Sequence, residues 1–353
     1  MVGQSIRESN VINNSFCTTY INLSSSSKIS EVGKGGINKF IAVLKIIGKV
    51  VKFLSSQKYD LCYMTLTAKG YGYYKDFIIV IILKLFRQKI IYHFHNKGVS
   101  SRQHKIVDNM LYRFTFKGTK SILLSSLLYN DIAAYVPRKD VFVCANGIPV
   151  IENKFSIKKV DKNTNNICKL LFLSNMMIDK GVLVLLEACK LLKENNILFE
   201  CHFVGAWTDI TEDEFKNIVF NYKISGNVFA HGEKYNREKI EYFLRSDIFV
   251  FPTYYHNECF PLVLLEAMEY GLALVSTPEG GIPEIIINGE TGFLVSQKNA
   301  EDLANKLEIL IKDPDLCTRM GENGKKRFEE LYTLDKFEHN LLEILVSAAG
   351  YKK

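Results

Sequence analysis

Short, almost unbroken apolar runs alternate with helical stretches from one end of this 353-residue sequence to the other, and few folds accept that pattern. In the first half the runs are FCTTYINLS (16–24), YDLCYMTL (59–66), KIIYHFH (89–95), SILLSS (121–126) and VFVCANG (141–147). In the second half they are KLLFLS (169–174), FECHFVG (199–205), NVFAHG (227–232), DIFVFPT (247–253) and LALVS (272–276). A strand that is apolar on both sides must be covered on both faces, and helical crossovers between parallel strands supply that cover. The expected fold class is therefore α/β, with two doubly wound parallel-sheet domains facing a cleft. The polar stretch KKVDKNTNN (158–166) reads as the linker. The expected division is 1–155, 156–335, and a C-terminal helix over 336–353 that packs back toward the first domain. Ligands in such sheets sit beyond the carboxyl ends of the strands.

Composition narrows the class. With 47% hydrophobic and 24% charged residues, the chain reads as a soluble globular protein. The start, MVGQSIRESN, shows no basic end followed by an apolar stretch, so no secretory leader is expected. The apolar run FIIVIIL (77–83) closes at Lys84 and is too short to span a bilayer. Eight cysteines without any C-x-x-C pair or metal-ligand spacing read as reduced core residues, as in a cytoplasmic protein. Charge is unevenly divided: residues 1–150 hold 21 Lys and Arg against 7 Asp and Glu, the remainder 24 against 31. A basic half of this kind suits an anionic partner. Within it, the helical stretch 37–57 sets Lys45, Lys49 and Lys52 on one face, at i, i+4 and i+7. That stripe fits either an anionic membrane surface or plain solvent on an outer helix. The lysines lack interleaved aromatics, so nucleic acid is not expected as a partner.

One stretch holds chemistry: HNECFPLVLLEAMEYG (256–271). Pro261 suits the first helical position and Gly271 the stop. The first N–H groups of a helix lack intrahelical partners and carry partial positive charge, so its start suits a phosphate. Glu258 precedes this helix on a loop at the end of a strand, facing the expected cleft. Glu266 lies inside the helix and leans back toward its start, where a carboxylate can accept from two adjacent hydroxyls. The competing readings are a capping carboxylate for Glu258 and a structural ion pair for Glu266.

The longer stretch NECFPLVLLEAMEYGLALVSTPEGGIPEIIINGETGFLV resembles the signature of the group 1 (family 4) retaining glycosyltransferases. In these, E-x-F-G/P is followed by E-A-M-x-x-G, G-G-x-P-E and G-x-x-G. Other segments agree in order: ANGIPV (145–150), LLFLSNMMIDKGVLVLLEAC (170–189), FVGAW (203–207) and FAHGEKYNREKIEYFLRSDIFVFPT (229–253). The resemblance runs from about Phe16 to the C-terminus. It implies a GT-B architecture, with a nucleotide-sugar donor held mainly by the second domain. Glu266 would bind the ribose hydroxyls and Glu258 would lie near the transferred sugar. The backbone of Phe260, Pro261, Leu262 and Val263, with Gly205 nearby, would meet sugar and diphosphate. Lys180 would neutralise the leaving diphosphate. His95 would reach the donor sugar from the first domain. No cofactor or metal is expected, and Asp313-Pro314-Asp315 reads as a helix cap rather than a metal motif. The family's favoured route is attack on the face the donor leaves, with the donor phosphate helping to take the acceptor's proton, rather than a carboxylate pair.

Two positions depart from the pattern. The family places Gly-Arg after the first strand of the second domain; here Ser174-Asn175 stands there, so Lys180 would carry more of the diphosphate charge and Asn175 only a neutral hydrogen bond. The family also opens on a strand and a glycine-rich turn. MVGQSIRES resembles the helix that follows that turn, so the chain is expected to begin late; alternatively GKGG (33–36) is the turn and TTYINLSS (19–26) the strand. The expected function is sugar transfer to a lipid-linked or glycan acceptor in bacterial surface polysaccharide synthesis. A nucleotide-sugar epimerase on the same fold and a non-catalytic homologue are the alternatives.

Overall fold

The computed structural model describes residues 2–23, 37–151 and 167–351. The expected linker 158–166 and the GKGG segment lie outside the described residues. The chain divides into two compact units, residues 1–145 with 337–353, and residues 146–336.

The first unit runs α1 (Val2–Glu8), α2 (Asn10–Ser15), α3 (Ile37–Ser56), β1 (Cys62–Thr65), α4 (Gly70–Leu85), β2 (Ile90–His93), α5 (Ile106–Phe116), β3 (Lys120–Leu123) and β4 (Val141–Val143). Its strands form one parallel sheet in the order β1-β2-β3-β4. All four residues of β2 are buried, as an apolar run covered on both faces requires. The apolar run FIIVIIL became the middle of α4, buried through Ile79, Val80 and Leu83. Among the described residues no helix is long and apolar enough to cross a membrane. Buried polar groups are tied down: Tyr112 Oη donates to Ala68 O at 2.7 Å, and the Tyr73 and Thr115 hydroxyls meet at 2.9 Å.

One expected strand did not form. Residues 16–23 of FCTTYINLS have no strand structure, and Cys17 to Tyr20 are exposed. Strand propensity is realised only where a neighbouring edge offers its ladder. Among the described residues β1 pairs with β2 alone, so the outer edge of β1 stays open and this segment has not joined it. It is held instead by side chains, with Tyr20 Oη donating to Ile6 O at 3.2 Å.

The second unit runs β5 (Cys168–Leu173), α6 (Val182–Glu194), β6 (Phe199–Val204), α7 (Glu212–Asn221), β7 (Val228–Ala230), α8 (Asn236–Arg245), β8 (Ile248–Phe251), α9 (Leu262–Glu269), β9 (Ala273–Ser276), α10 (Ile282–Ile285), β10 (Gly292–Leu294), α11 (Ala300–Lys312) and α12 (Pro314–Leu331). The last helix, α13 (Leu334–Ala349), joins the first unit from Phe337 onward. The second sheet is also parallel, in the order β10-β9-β8-β5-β6-β7. Its order reverses between β5 and β8, the place where doubly wound sheets hold ligands. Every residue of β8 and β9 is buried, and Phe172, Phe203 and Phe251 stack across the centre at 5.3 and 6.4 Å. Strand β10 was not foreseen: its three residues, Gly-Phe-Leu, sit in a glycine-rich stretch without a legible run. Helix starts follow local chemistry. Thr211 and Glu214 close a capping box on α7, and Asp313 Oδ1 accepts from Leu316 N at 2.9 Å to cap α12.

None of the eight cysteines is in a disulfide. Five are buried and two half-buried, but Cys17 is exposed, against the expectation that all are core residues.

Candidate functional site

The site assembles at the carboxyl ends of β5 and β8. After β5 the chain makes a short 3-10 turn, Ile178–Lys180, and enters α6 through Gly181. Gly181 has φ +88°, and a Cβ there would lie 2.3 Å from Pro252 O, so only glycine lets this turn lie against the end of β8. The two loops are joined further by backbone bonds. Tyr254 N donates to Asp179 O at 2.8 Å, and Thr253 Oγ1 donates to the same carbonyl at 3.3 Å. This sewing brings Lys180 to Glu258: its Nζ donates to Glu258 Oε2 in a close ion pair. The same ammonium lies 4.7 Å from the Tyr255 ring centre and 5.3 Å from that of Phe251. The side chains are only 15% and 12% exposed, so the pair is largely desolvated.

The Glu258 loop is fixed from its other side. Its N donates to Tyr255 O at 2.8 Å, closing a turn. Gly280, at φ +57°, backs onto it so closely that a Cβ would lie 2.3 Å from Glu258 O. Gly281 N donates to Cys259 O at 2.7 Å. Beside Glu258, Asn257 Nδ2 donates to Tyr255 Oη at 3.2 Å, while its Oδ1 is buried with no hydrogen-bond partner among the described residues. The cost of such an unmatched acceptor, about 1–3 kcal/mol, is tolerated in native proteins chiefly at functional sites.

Helix α9 begins at Leu262. Pro261, expected as its first helical residue, is instead the residue before it, with extended backbone (ψ 117°). The shift of one position leaves the chemistry of the helix start intact, because proline lacks an N–H in either place. No side chain caps the helix; Leu264 N donates back to Pro261 O at 3.2 Å, and the N–H groups of Leu262 and Val263 open the helix at the end of the loop that carries Glu258. Phe260 and Pro261 are buried, Leu262 and Val263 half-buried. Gly271, at φ +70°, ends the helix as expected.

Glu266 sits in the second turn of α9, and Lys239 of α8 donates to its Oε1 at 2.6 Å. This pair remains about a quarter exposed on both sides, unlike Lys180–Glu258. A carboxylate inside an apolar helix is therefore accounted for by a lysine 27 positions away and an open face. Asn175 is exposed after β5, and Gly205 follows β6, its N donating to Gly232 O at 2.9 Å. Ser174 N donates to Val204 O at 3.0 Å, which keeps Asn175 next to the end of β6.

The structure thus gathers Lys180, Glu258, Gly205, Asn175, Glu266 and the start of α9 along one end of the second sheet. His95 belongs to the first unit. Its ring lies 4.2 Å from that of His93, and its Nε2 is buried with no partner among the described residues. Burial lowers its pKa to about 4, so it is a neutral imidazole near neutral pH. His93 Nδ1 meets Tyr63 Oη at 2.7 Å. Lys239, Tyr255 and Thr253 were not foreseen as site residues. No spacing rule connects position 239 with 266, and loop residues acquire their partners only when β5 and β8 align. Among the described residues, no three His, Cys, Asp or Glu side chains gather as a metal-binding set.

Residues 150–327 match the sequence pattern of the family Glycosyl transferases group 1. Over 228 residues the chain is 29% identical to the amylovoran biosynthesis glycosyltransferase AmsK of Erwinia amylovora, covering 63% of this chain and 55% of that protein. Over 197 residues it is 26% identical to the capsular polysaccharide biosynthesis glycosyltransferase CapM of Staphylococcus aureus, covering 54% of this chain and 50% of that protein. The chain thus spans about half the length of these two relatives. Among solved structures, the Anabaena protein HepE in complex with UDP shares the fold, with a TM-score of 0.72, 19% identity, and coverage of 86% of this chain and 82% of that one.

Proposed function

This chain belongs to the group 1 glycosyl transferases, and on that premise we propose that it moves a sugar from a nucleotide-sugar donor to a glycan or lipid-linked acceptor, with retention at the anomeric carbon, in the synthesis of a bacterial surface polysaccharide. The observation that carries the reading is the Lys180–Glu258 pair at the reversal of the second sheet, inside the segment that matches the family. A lysine held there by a carboxylate is a cation placed where a diphosphate would lie, and it is available by exchange of one anion for another.

In this reading the donor diphosphate accepts from Lys180 Nζ and from the first-turn N–H groups of α9. Breaking the bond between the sugar and the diphosphate leaves negative charge on the nucleoside diphosphate, and the ammonium stabilises that charge most as it develops. Glu258, released from Lys180, accepts from hydroxyls of the sugar. Glu266 accepts from the ribose diol on the open side of its pair with Lys239. Asn175 supplies one neutral hydrogen bond where relatives of this kind are expected to carry arginine, so Lys180 holds most of the diphosphate charge and no metal is required. The segments shared with proteins named for amylovoran and capsular polysaccharide synthesis support the setting.

The test is turnover on a panel of nucleotide sugars with lipid-linked and glycan acceptors, the product's anomeric proton read by NMR. Transfer that keeps the donor's anomeric configuration is expected. Formation of an epimer without acceptor, or inversion, would overturn the reading. Binding of nucleoside diphosphate without turnover of any donor would mark a non-catalytic homologue.

A further inference from the structure

Two histidines of the first unit each bury a ring nitrogen that meets no partner. His93, the last residue of β2, is 0% exposed, and its Nε2 has no hydrogen-bond partner among the described residues. His95, just beyond the end of β2, is half-buried, and its Nε2 is orphaned in the same way. Residues i and i+2 of an extended chain face the same side, and the two ring centres lie 4.2 Å apart. Buried polar atoms without partners are uncommon, and two in adjoining rings raise the question of which nitrogen carries each proton.

Tyr63 of β1 decides the question for His93. Its register partner in β2 is Ile91, two residues before His93, so it reaches the ring from the side opposite His95. There Tyr63 Oη meets His93 Nδ1 at 2.7 Å. Desolvation raises the pKa of this hydroxyl, so it keeps its proton, and among the described residues it has no other acceptor. A phenol O–H donates and a bare imidazole nitrogen accepts, so the bond runs from Tyr63 to Nδ1. Burial lowers the pKa of His93 and keeps its ring neutral, with one proton. That proton is therefore on Nε2. The ring itself is walled in, with Tyr63 edge-on at 5.8 Å and Phe337 of α13 stacked at 6.4 Å.

The proton of His95 follows from that of His93. Burial keeps His95 neutral as well, so it too carries one proton. A proton on its Nε2 would bury two unpaired N–H donors in adjoining rings, where the low local dielectric magnifies their repulsion. With Nε2 bare, one donor stands beside one acceptor.

We propose that Tyr63 and His93 are positioning residues that fix His95 in the tautomer protonated on Nδ1. Which nitrogen of a histidine carries the proton is set by what its other nitrogen meets. His95 can then donate from Nδ1 but cannot take a proton there. In the sugar-transfer reading, on which this consequence alone rests, a sugar hydroxyl meets His95 through its oxygen. His95 then binds the sugar and does not act as a base on it.

The test is a long-range proton–nitrogen NMR spectrum of the whole chain with 15N-labelled histidine at pH 7.5, His95 being assigned by the signals lost in H95N. Wild-type His93 is expected as the Nε2–H form and His95 as the Nδ1–H form. Tyr63→Phe removes one oxygen and should shift both rings toward mixed tautomers. It should also lower kcat/KM for the sugar nucleotide about tenfold, with UDP affinity unchanged, since one hydrogen bond sets the arrangement. The wild-type spectrum decides the assignment without any substitution: His95 protonated on Nε2 would overturn the proposal. It is also overturned if Tyr63→Phe leaves both tautomers, or the turnover, as in the wild type. The expected tautomers in a chain that turns over no nucleotide sugar would sink the transfer reading and leave this assignment standing.

Discussion

Exchanging Glu258 for glutamine should separate a lysine that merely belongs to a structural pair from one that awaits a phosphate. In the wild type, Lys180 Nζ is claimed by Glu258, with both side chains nearly removed from water. Removing one partner of such a pair leaves an uncompensated charge, so Lys180→Met and Glu258→Gln should each lose roughly 3 kcal/mol of stability. Their effects on binding of a nucleoside diphosphate, with UDP as the probe, should have opposite signs. Lys180→Met removes a charge-assisted contact to diphosphate, about 1.5–3 kcal/mol, or about 10- to 150-fold in Kd. Glu258→Gln removes the competing anion, so UDP should bind as well as in the wild type or up to about tenfold more tightly. The matching sugar nucleotide should gain less than UDP, because the carboxylate that accepts from the sugar is gone. Isothermal titration with UDP and the sugar nucleotide reads all three proteins, and thermal unfolding confirms that each is folded. If Glu258→Gln weakens UDP as much as Lys180→Met, the pair is structural and the exchange of anions is wrong.

Three further outcomes follow from the geometry. The Lys239–Glu266 pair is a quarter exposed, so Lys239→Met should change stability by less than about 1 kcal/mol in denaturant titrations; Glu266→Gln should weaken UDP while leaving 2′-deoxy-UDP little changed. Gly280→Ala places a methyl 2.3 Å from Glu258 O at φ +57°, and should lower stability by at least about 2 kcal/mol, measured by urea unfolding, with UDP affinity reduced as the Glu258 loop shifts. His95 has its pKa lowered to about 4 by burial from an ordinary 6.5, so between those values the unfolded chain binds a proton that the folded chain does not. Stability should therefore fall on acidification, with His95 contributing about 2 kcal/mol of loss between about pH 7 and pH 5; H95N should remove that share of the slope and leave the shares of His93 and His231, whose pKa values burial also lowers.

What was legible in the sequence is what local chemistry decides. KLLFLS, DIFVFPT and LALVS each hold an unbroken apolar centre, and each became a strand whose middle is buried on both faces. FCTTYINLS looked alike but found no neighbour, because strand formation depends on a ladder partner that its own residues do not reveal. The reverse holds for Gly292–Leu294, too short to read yet drawn into the sheet by β9. Glu258 and Lys180 were each visible as residue types in a pattern; their contact was not, since it depends on β5 and β8 being neighbours. Lys239 was invisible for the same reason.

The placement of Lys180 and Glu258 also bears on how the protein reaches its native state. The pair spans 78 positions, and between its members lie β6, β7, the helices that connect them, and β8. No local segment can form it, and its loop-closure entropy is repaid only when β8 docks on β5. The pair is therefore expected to form late, after most of the second unit is in place. A stalled intermediate with β5, β6 and β7 already paired would have its helices but no diphosphate site. Recovery of UDP binding during refolding would thus time the closing of the sheet, lagging behind the recovery of helical circular dichroism.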